Sequence, residues 1–261
     1  MIKTGMNLSV DLSKLEFVYG EDMFGPISEK RNLDAIRGSL SDPNVEGPEI
    51  VYAVAMDVGK NEHREDLKKR NLLYGAMIFE KGIVGEEPVR SQGHIHAVSQ
   101  SCNASTCEVY EVWSGEAYIY MQESASDDAG KCYAVHAKRG EVVIVPPGWV
   151  HCTINANPEE VMLFGAWCVR DYGFDYEGVR KHKGVSYFPK VEAGSIHFVK
   201  NAEYKNGELE IREARAYPEF NLLPGIPIYT QYENNPDLFA FVTDPKGYEQ
   251  KWKTLFEKWG D

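Results

Sequence analysis

The chain has 261 residues, of which 26% are charged and 12% aromatic, and a formal net charge of -12 at pH 7. That composition is globular, and the length allows a substantial core in one large domain or two small ones. So acidic a surface repels a phosphate backbone and excludes a general nucleic-acid binder, although a local group of donors can still hold a small phosphate ester. The cysteines are Cys102, Cys107, Cys132, Cys152 and Cys168. An odd number without framework spacing points to free thiols in a reducing compartment. No apolar run reaches signal-peptide or bilayer length, so no membrane partner is expected and a cytoplasmic location is.

In chain order, residues 28–40 read as a helix, with Leu33, Ile36 and Leu40 at helical spacing and Asp42-Pro43 as its stop. Residues 49–56 (EIVYAVAM) and 72–79 (LLYGAMIF) read as strands, and the charged stretch NEHREDLKKRN between them as a surface helix or loop. From residue 88 to 168 the texture changes to short runs rich in Val, Ile, Tyr and Trp, punctuated by Gly115, Asp127-Asp128, Gly140 and Asn157-Pro158. Strands so closely spaced argue for a sandwich or barrel, not for alternating βα units. Beyond Pro189, SIHFVK and GELEIREARAY read as strands. Tyr248, Trp252, Leu255, Phe256 and Trp259 then give a closing helix an apolar stripe.

The chemistry concentrates in PVRSQGHIH. On a strand, His94 and His96 project to one face while Ile95 faces the other, so two imidazoles can converge on an ion at about 2 Å. CEVYEVWSG puts Glu108, Tyr110 and Val112 on one face and Glu111 on the opposite one. In GEVVIVPPGWVHCTIN, Pro146 and Pro147 force a turn and deliver His151 just past the corner. Cys107 and Cys152 adjoin these residues but alternate away from them and read as core thiols. Three imidazoles and a carboxylate leave open positions on a single Fe²⁺, Mn²⁺, Ni²⁺, Co²⁺ or Zn²⁺ ion. Arg90, at the expected barrel mouth, offers a basic group for a phosphate. Arg170 follows the last barrel strand, and the RKHK run (residues 180–183) reads as a solvated turn.

These segments resemble the cupin family. Gly140, Pro146, Gly148, His151 and Asn155 match every named position of its second motif, and His94, His96, Glu108 and Gly115 match its first. Two departures stand out: Pro88 occupies the place of the usual leading Gly, and the interval from His96 to Glu108 is long. The resemblance implies a mainly β protein, a cupin double-stranded β-helix (jelly-roll barrel) with a few peripheral helices. Residues 1–189 would form the cupin domain with an N-terminal extension. Residues 190–261 would form an extension packed on the barrel or on a partner subunit.

Over residues 11–189 the order of segments is similar to the cupin-type glucose-6-phosphate isomerases of archaea and some bacteria, most specifically in GHIHA, EVY and VPPGWVHCTIN. That resemblance implies a metal-dependent aldose–ketose isomerase of a sugar phosphate, commonly a homodimer. It also implies catalytic roles for Glu108 and Tyr110, and substrate contacts from Ser91, Gly93 and Tyr176. Phe174 and Gly148 stand where relatives carry His and Tyr, and LLYGAMIFE stands where relatives carry phosphate-binding threonines. The alternatives are isomerisation of another sugar, a cupin dioxygenase using Fe²⁺, and a sugar-binding cupin without turnover.

Overall fold

The computed structural model describes residues 4–260. Ten strands build the barrel: β1 (Glu29–Asn32), β2 (Ile50–Met56), β3 (Leu72–Phe79), β4 (Glu108–Ser114), β5 (Glu116–Gln122), β6 (Asp128–Lys138), β7 (Val142–Val145), β8 (Val150–Asn155), β9 (Met162–Val169) and β10 (Asn206–Glu213). A six-stranded sheet runs β7-β4-β9-β3-β2-β1, and a four-stranded sheet runs β8-β5-β6-β10. Pairing is antiparallel throughout these sheets except between β6 and β10. This is the mainly β, cupin-type barrel that the two motifs imply. Gly115 turns the chain from one sheet to the other at φ +71, and a Cβ there would press on the backbone of Met162 at 3.2 Å.

The expected strands over residues 49–56 and 72–79 form as β2 and β3, and the charged stretch between them carries the short helix Arg64–Lys69. The helix expected over residues 28–40 does not form. Its first part is β1, hydrogen-bonded along the edge of β2, and its second is two 3-10 turns, Leu33–Ala35 and Arg37–Ser39. Leu33, Ile36 and Leu40 are all buried, so successive turns satisfy the spacing that looked helical. The local pattern named the buried side chains correctly, and tertiary strand pairing decided the backbone.

Alternation along the six-stranded sheet separates two faces. Tyr52, Val54, Met56, Met77, Phe79, Glu108, Tyr110, Phe164 and Cys168 line an interior cavity. The outer face carries Tyr74, Trp113 and Trp167, each at most 1% exposed. The C-terminal segment covers that outer face: in the helix Ile228–Asn234, Tyr229 stacks on Trp167 at 5.5 Å and Tyr232 packs against it at a tilt at 5.0 Å. The expected closing helix spans Glu249–Gly260 and buries Trp252, Leu255 and Trp259. Trp259 reaches Tyr133 and Trp149 at 4.7 and 5.7 Å. A buried aromatic of this size contributes about 3 kcal/mol or more through apolar area alone, so this covering is part of the core. Among the described residues, no helix is long and apolar enough to cross a membrane.

Candidate metal centre

Gly93 bends the chain at φ +93 immediately before His94, where a Cβ would meet Val185 Cγ1 at 2.9 Å. His94 then pairs with His151 across an isolated antiparallel bridge, with reciprocal N–H···O bonds of 3.0 and 2.9 Å. The bridge sets the two imidazoles 4.4 Å apart by ring centroid, and His96 lies 5.4 Å from His94. Glu108 opens β4 opposite Val145 of β7 and projects into the same space. One ligand atom from each of His94, His96, Glu108 and His151 lies within 4.8 Å of the others.

The hydrogen bonds show what such a cluster requires. His96 Nδ1 donates to the Thr106 carbonyl at 3.0 Å, and His151 Nδ1 donates to the Trp149 carbonyl at 3.1 Å. Those bonds fix the tautomer, so in neutral rings each Nε2 presents a lone pair. Both Nε2 atoms face Glu108 Oε2, at 3.1 and 3.3 Å. His94 Nε2 is buried with no partner at all. Lone pairs and a carboxylate converging in a desolvated space need a cation among them. Burial, reinforced by His151 and His96, pushes His94 well below the usual histidine range, keeping it a neutral ligand. Burial alone would raise Glu108, but the close approach of His151 and His96 outweighs it and holds the carboxyl well below its usual range. The donor set fits one divalent first-row ion.

The long interval between His96 and Glu108 is held in place at both ends. Ser99 Oγ and Ser101 N–H donate to Asp171 at 2.8 and 3.0 Å, and Ser105 Oγ donates to the His96 carbonyl at 2.7 Å. The extra residues therefore leave the carboxylate at the site, and Glu111 is no substitute for it. Glu111 lies on the outer face, where Trp113 Nε1 donates to it at 3.2 Å.

The cavity at this centre measures about 290 Å³. Tyr110 lines it and donates its hydroxyl to Glu108 Oε2 at 2.8 Å; burial, and then the Glu108 charge, keep that phenol protonated far above its usual range. Ser91, Gln92, Thr153, Tyr172 and Tyr176 add polar groups. Phe174, where the resemblance led one to look for a histidine, packs edge-on to His94 at 4.5 Å. It sits there because Phe174–Asp175 pairs with Ile95–His96.

The basic residues named from the sequence are engaged elsewhere. Arg90 is fully buried, ion-paired with Glu87 at 2.6 Å, and does not line the cavity, so the phosphate role expected of it is corrected. Its side chain is held away from the cavity, donating to Glu87 and to the Ser39 carbonyl. Arg170 is bound to Asp57 at 2.8 Å. The RKHK run ends a short helix in a turn with Arg180, Lys181 and Lys183 exposed as expected, but Arg180 lies over the Tyr176 ring and donates to Gln92 at 3.2 Å, and His182 is buried and stacked on Tyr204. Gly93 shapes the backbone and presents no group to the cavity, and Gly148 donates only to Ser105 Oγ. Several polar cavity residues escaped the sequence reading, among them Gln92, Thr153 and Tyr172, and, on β1, Glu29 and Arg31. The last two lay hidden in a segment with helical spacing.

The sequence model of the family described as glucose-6-phosphate isomerase matches residues 38–206. The glucose-6-phosphate isomerase of Thermococcus onnurineus is 30% identical over 141 residues, 54% of this chain and 69% of that one. That of Thermococcus gammatolerans is 29% identical over 182 residues, covering 67% and 86%. Among solved structures, an oxalate oxidase aligns with a TM-score of 0.34 at 18% identity, over 48% of this chain and 54% of that one.

Proposed function

The chain belongs to the glucose-6-phosphate isomerase family, and we propose that it is a metal-dependent aldose–ketose isomerase interconverting glucose 6-phosphate and fructose 6-phosphate. The observation that carries this reading is the buried His94, His96, Glu108 and His151 cluster opening into a cavity with a tyrosine hydroxyl on its carboxylate. A divalent ion held there would supply Lewis-acid polarisation to the open-chain sugar. The chain's own groups do the rest. His94, His96 and His151 would hold the ion, the His96 and His151 tautomers fixed by backbone carbonyls, and Phe174 covers one side of His94.

Isomerisation moves one hydrogen from C2 to C1 and one proton from O2 to O1, and changes no overall oxidation state. In the reading we favour, the Glu108 carboxylate takes the C2 proton of glucose 6-phosphate and returns it to C1, passing through an enediolate. Tyr110 holds Glu108 Oε2 and thereby leaves the carboxylate's orientation fixed during transfer. A direct hydride shift from C2 to C1 is the competing route, in which Glu108 serves as ligand alone. Turnover in deuterated water separates the two, since proton transfer incorporates solvent deuterium into product and a hydride shift does not.

The test is anaerobic assay of stripped protein reloaded with Fe²⁺, Mn²⁺, Ni²⁺, Co²⁺ or Zn²⁺ on fructose 6-phosphate and a panel of free ketoses. Conversion of fructose 6-phosphate supports the reading, and no conversion with any metal sinks it. A cytoplasmic homodimer is the proposed assembly, checked by sedimentation of the purified chain.

A further inference from the structure

We propose that Arg31 is the phosphate anchor of this cavity and that the substrate's 6-phosphate displaces Glu29 from it on binding. The assignment rests on the sugar-phosphate isomerase reading and names the residue through which the cavity selects a phosphorylated sugar. Arg31 is the sole arginine or lysine among the described residues lining the cavity. Of the other arginines nearby, Arg90 and Arg170 are ion-paired with Glu87 and Asp57, and Arg180 lies outside the cavity lining, over the Tyr176 ring, donating to Gln92.

Strand register puts Arg31 there. β1 pairs with β2 so that Arg31 faces Tyr52 and Glu29 faces Val54, and directly paired residues share a sheet face. Tyr52 and Val54 line the cavity, so Arg31 and Glu29 do too. The Arg31 charge acts on the hydroxyls of Tyr52, Tyr172 and Tyr176, which surround it. Burial pushes the Tyr52 phenol up to about 12, so it stays a donor at neutral pH.

The cavity is graded from its buried metal cluster to a half-open rim. The Glu108 side chain is 9% exposed, whereas those of Arg31 and Glu29 are 35% and 66% exposed. Val54, Met56, Met77 and Phe164 lie among the polar groups. A chain with a carbonyl at one end and a dianion at the other matches that grading: the reacting carbons go to the dry end, and the phosphate stays at the wet rim. Arg31 is ion-paired with Glu29 on its own strand. An exposed pair of that kind is held weakly, whereas a guanidinium grips phosphate bidentately, so exchanging a carboxylate for a phosphate is favourable.

The experiment is calorimetric titration of fructose 6-phosphate into the metal-loaded full chain and its Arg31→Ala, Arg31→Lys and Glu29→Gln variants, with metal content and melting temperature measured for each. Arg31→Ala is expected to weaken fructose 6-phosphate binding about 10- to 100-fold, the loss of a hydrogen-bonded charge contact, with metal content unchanged. Arg31→Lys should recover part of that loss. Glu29→Gln, which removes the competing carboxylate, should tighten binding a few-fold, and this variant carries the test should Arg31→Ala fail to fold. Wild-type affinity in Arg31→Ala, weaker binding in Glu29→Gln, or no binding by the wild type would overturn the anchor. Arg31-dependent binding without turnover would leave the anchor standing and sink the isomerase reading. Turnover with Arg31-independent binding would do the reverse.

Discussion

One strand carries two buried carboxylates that meet opposite fates. Glu108, on the inner face of β4, sits among imidazoles and is held well below the usual carboxylate range. Glu111, three residues on and facing outward, has only Trp113 and the backbone near Ile228 to offset burial and is pushed up to about 8. Residue type and strand are shared; the surroundings differ. The inner face is polar at its centre and built to hold charge, whereas the outer face is an aromatic slab under the C-terminal segment, built to exclude it. The carboxylate near its partners is chemical equipment, and the other is a cost the fold tolerates.

The comparison is broken most severely by removing a ligand. His94→Ala or His151→Ala is expected to abolish metal binding and isomerase activity together while leaving a folded barrel, as read by metal analysis and circular dichroism. Full metal content in either variant would refute the centre. Next comes the slab: Trp167→Ala should cost about 3–5 kcal/mol in urea denaturation. Metal binding by the molecules that remain folded should survive, because Trp167 touches none of the ligands.

Glu111 sharpens the contrast through pH. Its folded value of about 8 lies above the ordinary 4.5, so below 4.5 both states are protonated and its contribution is intact. As pH rises from 4.5 to 8 the unfolded chain sheds a proton that the folded chain keeps, and stability falls. Glu111→Gln should remove a decline on the order of a few kcal/mol across that window, with activity unaffected. An unchanged pH–stability curve would contradict the assigned burial cost. The smallest effect is expected from Tyr110→Phe, which leaves Glu108 on its imidazoles but frees its Oε2 of one donor. The kcat should drop about ten-fold with metal content retained, consistent with losing one charge-assisted hydrogen bond.

The candidate metal cluster was legible in the sequence because strand alternation and the Pro146-Pro147 turn are local, and the motif match added the rest. Glu108 was legible despite the long interval, since the spacing to Gly115 reflects a single strand and turn. The fold class was legible in the run of short strands. What could not be read was β1. Its pairing with β2 is tertiary, and Leu33, Ile36 and Leu40 bury equally well in two 3-10 turns as in a helix. Arg31 was lost with that strand. Arg90 failed for a different reason: the buried Glu87 that holds it away from the cavity could not be recognised as its partner from one sequence.

The parallel pairing of β6 with β10 has a consequence for how the chain reaches this state. Cys132 meets Leu209 across it, and β9 must slot between β3 and β4, strands far earlier in the chain. Neither sheet can be completed by contacts between neighbours in sequence. Closing such large loops before any pairing rewards them slows folding, and the dominant barrier should come late, with the C-terminal half already present. On the ribosome His94 and His96 emerge well before β9 and β10 do, and all three histidines well before β10. A nascent chain would therefore display loose metal-binding imidazoles before it owns a rigid cage, and ion capture belongs to the last stage of assembly.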